Sequence, residues 1–251
     1  MMIERPAPLR GMTVIVGRED PGELKALLAD QGATVLHVPL IATVDPDDGG
    51  RALRTELDRL GDYDWLVVSS VHGAERVGAA ARTAPAVRLA AVGRSTAARL
   101  AELAGRPVDV VPRTQRAEVL AADLVEVMPA SASLLIAAAD RSEQRLEDDL
   151  RTHGFSVTLV VAYRTVLTPP DSATMDELLE RADALLLTSG SSAESWADAP
   201  GREHFDGPIV AIGPSTAAAA RRFGVSVTAV AADHSLSGLV RTLGESVAHG
   251  R

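Results

Sequence analysis

The chain has no cysteine. Disulfides, thiolate nucleophiles and Cys-ligated zinc or iron–sulfur centres are therefore excluded, and the composition fits a cytoplasmic protein. Aromatic residues are few (two Trp, two Tyr and three Phe), and the net charge is −9 with no basic block. Nucleic-acid binding, which draws on a basic surface and stacking rings, is not expected. No apolar run approaches the roughly 18 residues of a membrane span. The opening MMIERPAPLRG lacks the apolar core of a signal peptide and reads as a short leader over residues 1–10. The histidines, at His37, His72, His153, His204, His234 and His249, are scattered without metal-ligand spacing, so no metal is expected.

What is present is the pattern of a soluble globular protein. The 251 residues are 46% hydrophobic and 24% charged, enough for one large domain or two of ordinary size. The most informative stretch is Ile209–Ala220, IVAIGPSTAAAA. An apolar run long enough for a buried strand meets Gly213-Pro214, then Ser215 and Thr216, then an alanine-rich helix. Ser215 or Thr216 is the expected N-cap. A helix start of this kind attracts anions through its unpaired amides and its dipole.

The unit occurs twice. Ala90–Leu100, AAVGRSTAARL, repeats it, with Gly213 lying 120 residues after Gly93. Leu66–Ser70 corresponds to Leu185–Ser189 at an offset of 119. Gly32 and Gly154, and Val35 and Val157, are each 122 apart, which pairs the N-terminal segment with the one around 134–166. An internal repeat of this length governs the fold.

Strands alternate with helices along the whole chain, which predicts an α/β protein with parallel sheets covered on both faces. Two groupings of the repeated modules are possible. A tandem would place one domain over 1–128 and the next over 134–251. A crossed arrangement would join 1–41 to 166–251 as a discontinuous first domain, with 44–162 as the second. The extended runs 34–44 and 156–166 would then form a two-stranded hinge. Their unusual length favours the crossed form, with two similar flavodoxin-like domains. A strand is also expected at Val108–Val111 and another at Ser226–Val230, with Ser70–Gly73 and Ser189–Ser192 as loops.

Ser70 and Ser189 end buried strands at the carboxyl edge, where ligands bind in open α/β sheets. Arg18 lies at the same edge and could hold a carboxylate bidentately. Ser70 and His72 have no orienting acid nearby, so no catalytic triad is expected. The Gly-x-Ser-Thr turns lack both the Lys of a P-loop and the Gly-x-Gly-x-x-Gly of a dinucleotide site.

The assembled motifs resemble the uroporphyrinogen-III synthase family over nearly the whole chain. They run from Gly17-Arg18, through Asp62-Tyr63-Asp64-Trp65 leading into Val68-Ser69-Ser70, to Val92-Gly93 with Thr96-Ala97. Ala162-Tyr163-Arg164-Thr165, Leu187-Thr188-Ser189-Gly190 and Ala211–Ala217 complete the set. One departure is the strand ending Ala137-Ala138-Ala139, where many bacterial relatives carry Arg-Gly. The resemblance implies the crossed fold, a site in the cleft between domains, no cofactor, no metal, and the linear tetrapyrrole hydroxymethylbilane as substrate; a monomer is expected. It also implies that the Tyr163 hydroxyl hydrogen-bonds the departing hydroxyl. Arg18, Ser69, Ser70, His72, Gly93, Thr96, Ser189, Gly190, Ser191, Gly213, Pro214, Ser215 and Thr216 would meet the substrate. Without the resemblance, Tyr163 reads as a packed hinge tyrosine, and the same scaffold could serve a non-catalytic binding protein or a transferase with a nucleotide-activated donor.

Overall fold

The computed structural model describes residues 7–141 and 145–249. The chain divides into two compact units, one of Met1–Ala42 with Val166–Arg251 and the other of Thr43–Thr165. The first unit opens with β1 (Thr13–Val16), α1 (Gly22–Asp30) and β2 (Thr34–His37). The chain then runs through β3 (Ile41–Val44), α2 (Arg51–Asp58), β4 (Trp65–Val68), α3 (Val71–Thr83), β5 (Arg88–Ala91) and α4 (Arg94–Ala104). Next come α5 (Ala117–Val127), β6 (Ser133–Ala139), α6 (Arg145–Thr152) and β7 (Ser156–Leu167). The first unit resumes with α7 (Ser172–Arg181), β8 (Ala184–Leu187), α8 (Gly190–Ala197), β9 (Ile209–Ala211), α9 (Pro214–Arg222), β10 (Ala229–Val230) and α10 (Leu236–His249). Among the described residues no helix is long and apolar enough to cross a membrane.

The first sheet has the order β10-β9-β8-β1-β2, with every neighbouring pair parallel. Counted in chain order this is the 2-1-3-4-5 arrangement of flavodoxin-like folds. The second sheet has the order β3-β7-β6-β4-β5, parallel from β7 to β5, with Val110 bridging Ala90 beyond it. From β7 outward its layout matches the first sheet. Its βαβ module, β6–α6–β7, comes last in the chain, whereas β1–α1–β2 comes first. The second unit is thus a circular permutation of the first, which explains why the modules match at a common offset.

Buried strands need apolar residues on both faces, and alternation assigns each face its core. In β1, Val14 and Val16 pack with Leu24, Leu28, Leu239 and Leu243, while Ile15 faces Leu178, Trp196 and Ala220. In β4, Leu66 and Val68 face Val77 and Leu100, while Trp65 and Val67 face Leu120, Leu124 and Leu150.

Three sequence expectations are corrected. Leu9 is fully buried and its amide donates to the Gln31 carbonyl at 3.2 Å, so the leader is anchored from there; residues 1–6 lie outside the described residues. The strand expected at Val108–Val111 is a single bridge at Val110, because Pro107 and Pro112 flank it and cannot donate to a ladder. The strand at Ser226–Val230 is confined to Ala229–Val230.

Candidate functional site

In an open parallel sheet the crevice for a ligand lies at the carboxyl ends of the strands where the strand order reverses. In the second unit that point is the β4/β6 pair, with Tyr163 on β7 next to it. In the first unit it is the β1/β8 pair.

At the second unit's edge, β4 is followed by half-buried Ser69 and Ser70. Ser70 caps α3: its Oγ accepts the Gly73 amide at 3.0 Å. A Cβ on Gly73 would come within 2.9 Å of Val68 Cγ1 and 3.1 Å of Ser70 Oγ, so this close cap depends on glycine. The Tyr163 hydroxyl donates to the same Ser70 Oγ at 2.9 Å. Tyr163 is only 7% exposed. Burial raises its pKa, a hydrogen bond with Ser70 opposes the rise, and the nearby Asp140 charge adds to it. The phenol is therefore a protonated donor at neutral pH. The His72 ring meets the Tyr163 ring edge-on at 5.6 Å, and His72 Nδ1 lies 3.6 Å from Glu75.

Behind Tyr163, Asp140 accepts the Thr165 amide at 3.0 Å and lies 3.8 Å from Arg164, which also pairs with Asp47. Arg164 thus places a cation next to Asp140, the residue that follows the Ala137–Ala139 strand end. Further along the edge, Gly93 is the N-cap of α4, and Thr96 is buried in its first turn. The first α4 amide, that of Arg94, donates to Gln115 Oε1 at 2.9 Å.

At the first unit's edge, Arg18 follows β1, and its carbonyl is 2.8 Å from His37 Nε2. Ser189 caps α8 in a reciprocal capping box with Ser192. Gly190 and half-buried Ser191 form the first turn of that helix. Gly213 is the N-cap of α9 and Pro214 its first residue; Ser215 is exposed and Thr216 buried. His234 has φ +52°, the positive-φ non-glycine among the described residues. A Cβ on Gly213 would lie 3.4 Å from its ring, so the imidazole sits over the start of α9. The adjacent Asp233 is held by Arg241 at 2.7 Å and Ser235 at 2.9 Å, which lower its pKa to about 2.

These positions overturn two local expectations. Neither Ser215 nor Thr216 is an N-cap, and no side-chain cap bond forms on α9 or α4; Gly213 and Gly93 take that place with extended backbone. Ser70–Gly73 and Ser189–Ser192 are not loops: the serines cap helices that begin at Val71 and Gly190, so His72, Gly190 and Ser191 are helical. Sequence reading missed Gln115, His234 and Asp140. Each meets its partner across roughly twenty residues or more, where no periodic pattern marks it.

Comparison with known proteins gives a consistent result. The family model for "Uroporphyrinogen-III synthase HemD" matches residues 22–241. The chain is 26% identical over 249 residues to the chloroplastic uroporphyrinogen-III synthase of Oryza sativa subsp. japonica, covering 95% of this chain and 82% of that protein. Among solved structures it resembles a mutant uroporphyrinogen III synthase from Thermus thermophilus, with TM-score 0.62 and 20% identity, covering 95% of this chain and 99% of that one. It also resembles uroporphyrinogen-III synthetase from Helicobacter pylori, with TM-score 0.61 and 16% identity, over 92% and 96% of the two chains. At those identities the structures speak for the fold, and the family model and the plant relative for the kinship. The chain belongs to the uroporphyrinogen-III synthase family, enzymes of tetrapyrrole biosynthesis.

Proposed function

We propose that the chain cyclises hydroxymethylbilane to uroporphyrinogen III, with loss of water and inversion of the terminal ring. The observation that carries this reading is the family match over residues 22–241. The reaction is a dehydration and rearrangement with no net redox change, so the demands on the protein are modest. It must protonate the departing hydroxyl, stabilise a cationic azafulvene and a spiro intermediate, and hold the chain in one conformer.

Tyr163 supplies the proton. Its phenol is buried, protonated, and aimed at the half-buried Ser70 of the second unit's carboxyl edge. The carboxylates of the substrate are held by Arg18, Ser189, Gly190 and Ser191, and by the start of α9 at Gly213, Pro214, Ser215 and Thr216. On the second unit, Ser69, Ser70, His72, Gly93 and Thr96 do the same. Pro214 has no amide, so the first amides α9 presents are those of Ser215 and Thr216, and the absence of a capping side chain leaves these donors for a ligand. The acting form is a monomer in the cytoplasm, which the cysteine-free composition fits.

The test is the isomer composition of the oxidised product from hydroxymethylbilane. Type III above the spontaneous type I background supports the reading. Type I alone, with the bilane still bound, makes the chain a binding protein on the same scaffold.

A further inference from the structure

Resting on the reading above, we infer that Ser70 is the group that touches the departing hydroxyl, and that Tyr163 is a positioning residue that acts through it. Hydrogen-bond capacity assigns the two roles. A serine hydroxyl accepts two hydrogen bonds and donates one. Ser70 Oγ accepts from Gly73 N at 3.0 Å and from the Tyr163 hydroxyl at 2.9 Å. Both lone pairs are occupied, and the Ser70 proton remains to be donated elsewhere.

The matching serine of the other unit shows the contrast. Ser189 Oγ accepts the Ser192 amide at 3.1 Å, but its own proton goes to Ser192 Oγ at 3.2 Å. The same cap is closed on itself in one unit and open in the other. Exposure points the same way. Tyr163 is 7% exposed and its hydroxyl is turned onto Ser70, whereas Ser70 is half-buried at the sheet edge. A donor chain of this kind is polarised along its length, so each bond strengthens the next.

The C–O bond of the hydroxymethyl group breaks with its electron pair on oxygen. That oxygen takes the Ser70 proton and leaves as water, and Ser70 takes the Tyr163 proton. The substrate is left as an azafulvenium cation and Tyr163 as a phenolate, to which Ser70 can turn and donate. When the ring closes, the proton lost as the pyrrole regains aromaticity returns to Tyr163 through Ser70. The protein neither gains nor loses a proton over the cycle.

The test is a double-mutant cycle on turnover at matched folded fraction. Ser70→Ala and Tyr163→Phe should each slow the reaction about 10²-fold, and the double variant should be no slower than the worse single one. Ser70→Thr, which keeps the hydroxyl, should recover most of the rate. Ser70→Asp, which keeps both acceptor roles without the proton, should not. Losses that multiply in the double variant, or a Ser70→Ala protein near the wild-type rate, would overturn the relay. A wild-type protein that yields only type I defeats the functional reading instead. The contact itself is read without turnover: in a Tyr63→Phe background, Ser70→Ala should move the phenol titration of Tyr163 upward, and an unmoved titration sinks the pairing.

Discussion

Tyr163, Ser215 and Asp233 illustrate three ways a side chain can matter here. Tyr163→Phe removes one positioned proton donor, which typically contributes 10²–10⁴-fold. The lower end, about 10²-fold, is expected, because the pyrrole nitrogen already activates the leaving group. The type III product should persist, as read from initial rate and isomer ratio together. Ser215 is exposed and makes no cap bond, so Ser215→Ala should leave the melting temperature unchanged or slightly raised, since alanine is the better helix former. If Ser215 meets the substrate, product affinity falls all the same, and calorimetry beside a thermal melt separates the two. Asp233 is ionised down to about pH 2 by its bonds to Arg241 and Ser235. A depressed carboxyl adds stability that is present above its unfolded pKa, near 4, and lost as pH falls toward 2. Asp233→Asn should therefore flatten the fall in melting temperature between pH 4 and 2. At this scale only its motif singles Tyr163 out in the sequence, since Ala-Tyr-Arg-Thr carries no sign of the Ser70 contact 93 residues away.

At the scale of elements, the strands were readable because apolar runs bounded by Gly and Ser leave few alternatives, and the helices were readable by their periodicity. Helix starts were not. Ser-Thr after Gly looks like a cap, yet the backbone turns at the glycine and the hydroxyls enter the first turn. The difference lies in extended glycine dihedrals that composition cannot reveal. Helix pairing supplies a sharper test. A Cβ on Gly78 would lie 2.4 Å from Leu103 Cβ, a stem atom with no freedom to swing away. Gly78→Ala gains about 0.5–1 kcal/mol of helix propensity. It also forces α3 and α4 apart, and overpacking of this kind costs about 1–3 kcal/mol. Net destabilisation of about 1–2 kcal/mol is expected in urea unfolding, and a gain in stability would show that the helices part freely.

For the molecule as a whole, the repeat offsets revealed the two sheets, and the length of the extended runs favoured the crossed grouping over the tandem. Sequence pattern alone could not choose, because a strand's neighbours in the sheet depend on contacts far away along the chain. Residues Thr43–Thr165 form one continuous segment with apolar clusters on both faces of its sheet. Expressed alone, this segment should fold, with helical far-UV circular dichroism and one cooperative melt. The other unit is split, and β1 sits inside its sheet between β8 and β2. On the ribosome this reverses the order of birth and completion. The first strand to leave the exit tunnel waits unpaired on its β8 side while the whole inserted unit is made and folds. A chain whose Thr165 has just cleared the tunnel would hold a finished domain on an unfinished one, and that interval is when its N-terminal strand is most in need of a chaperone.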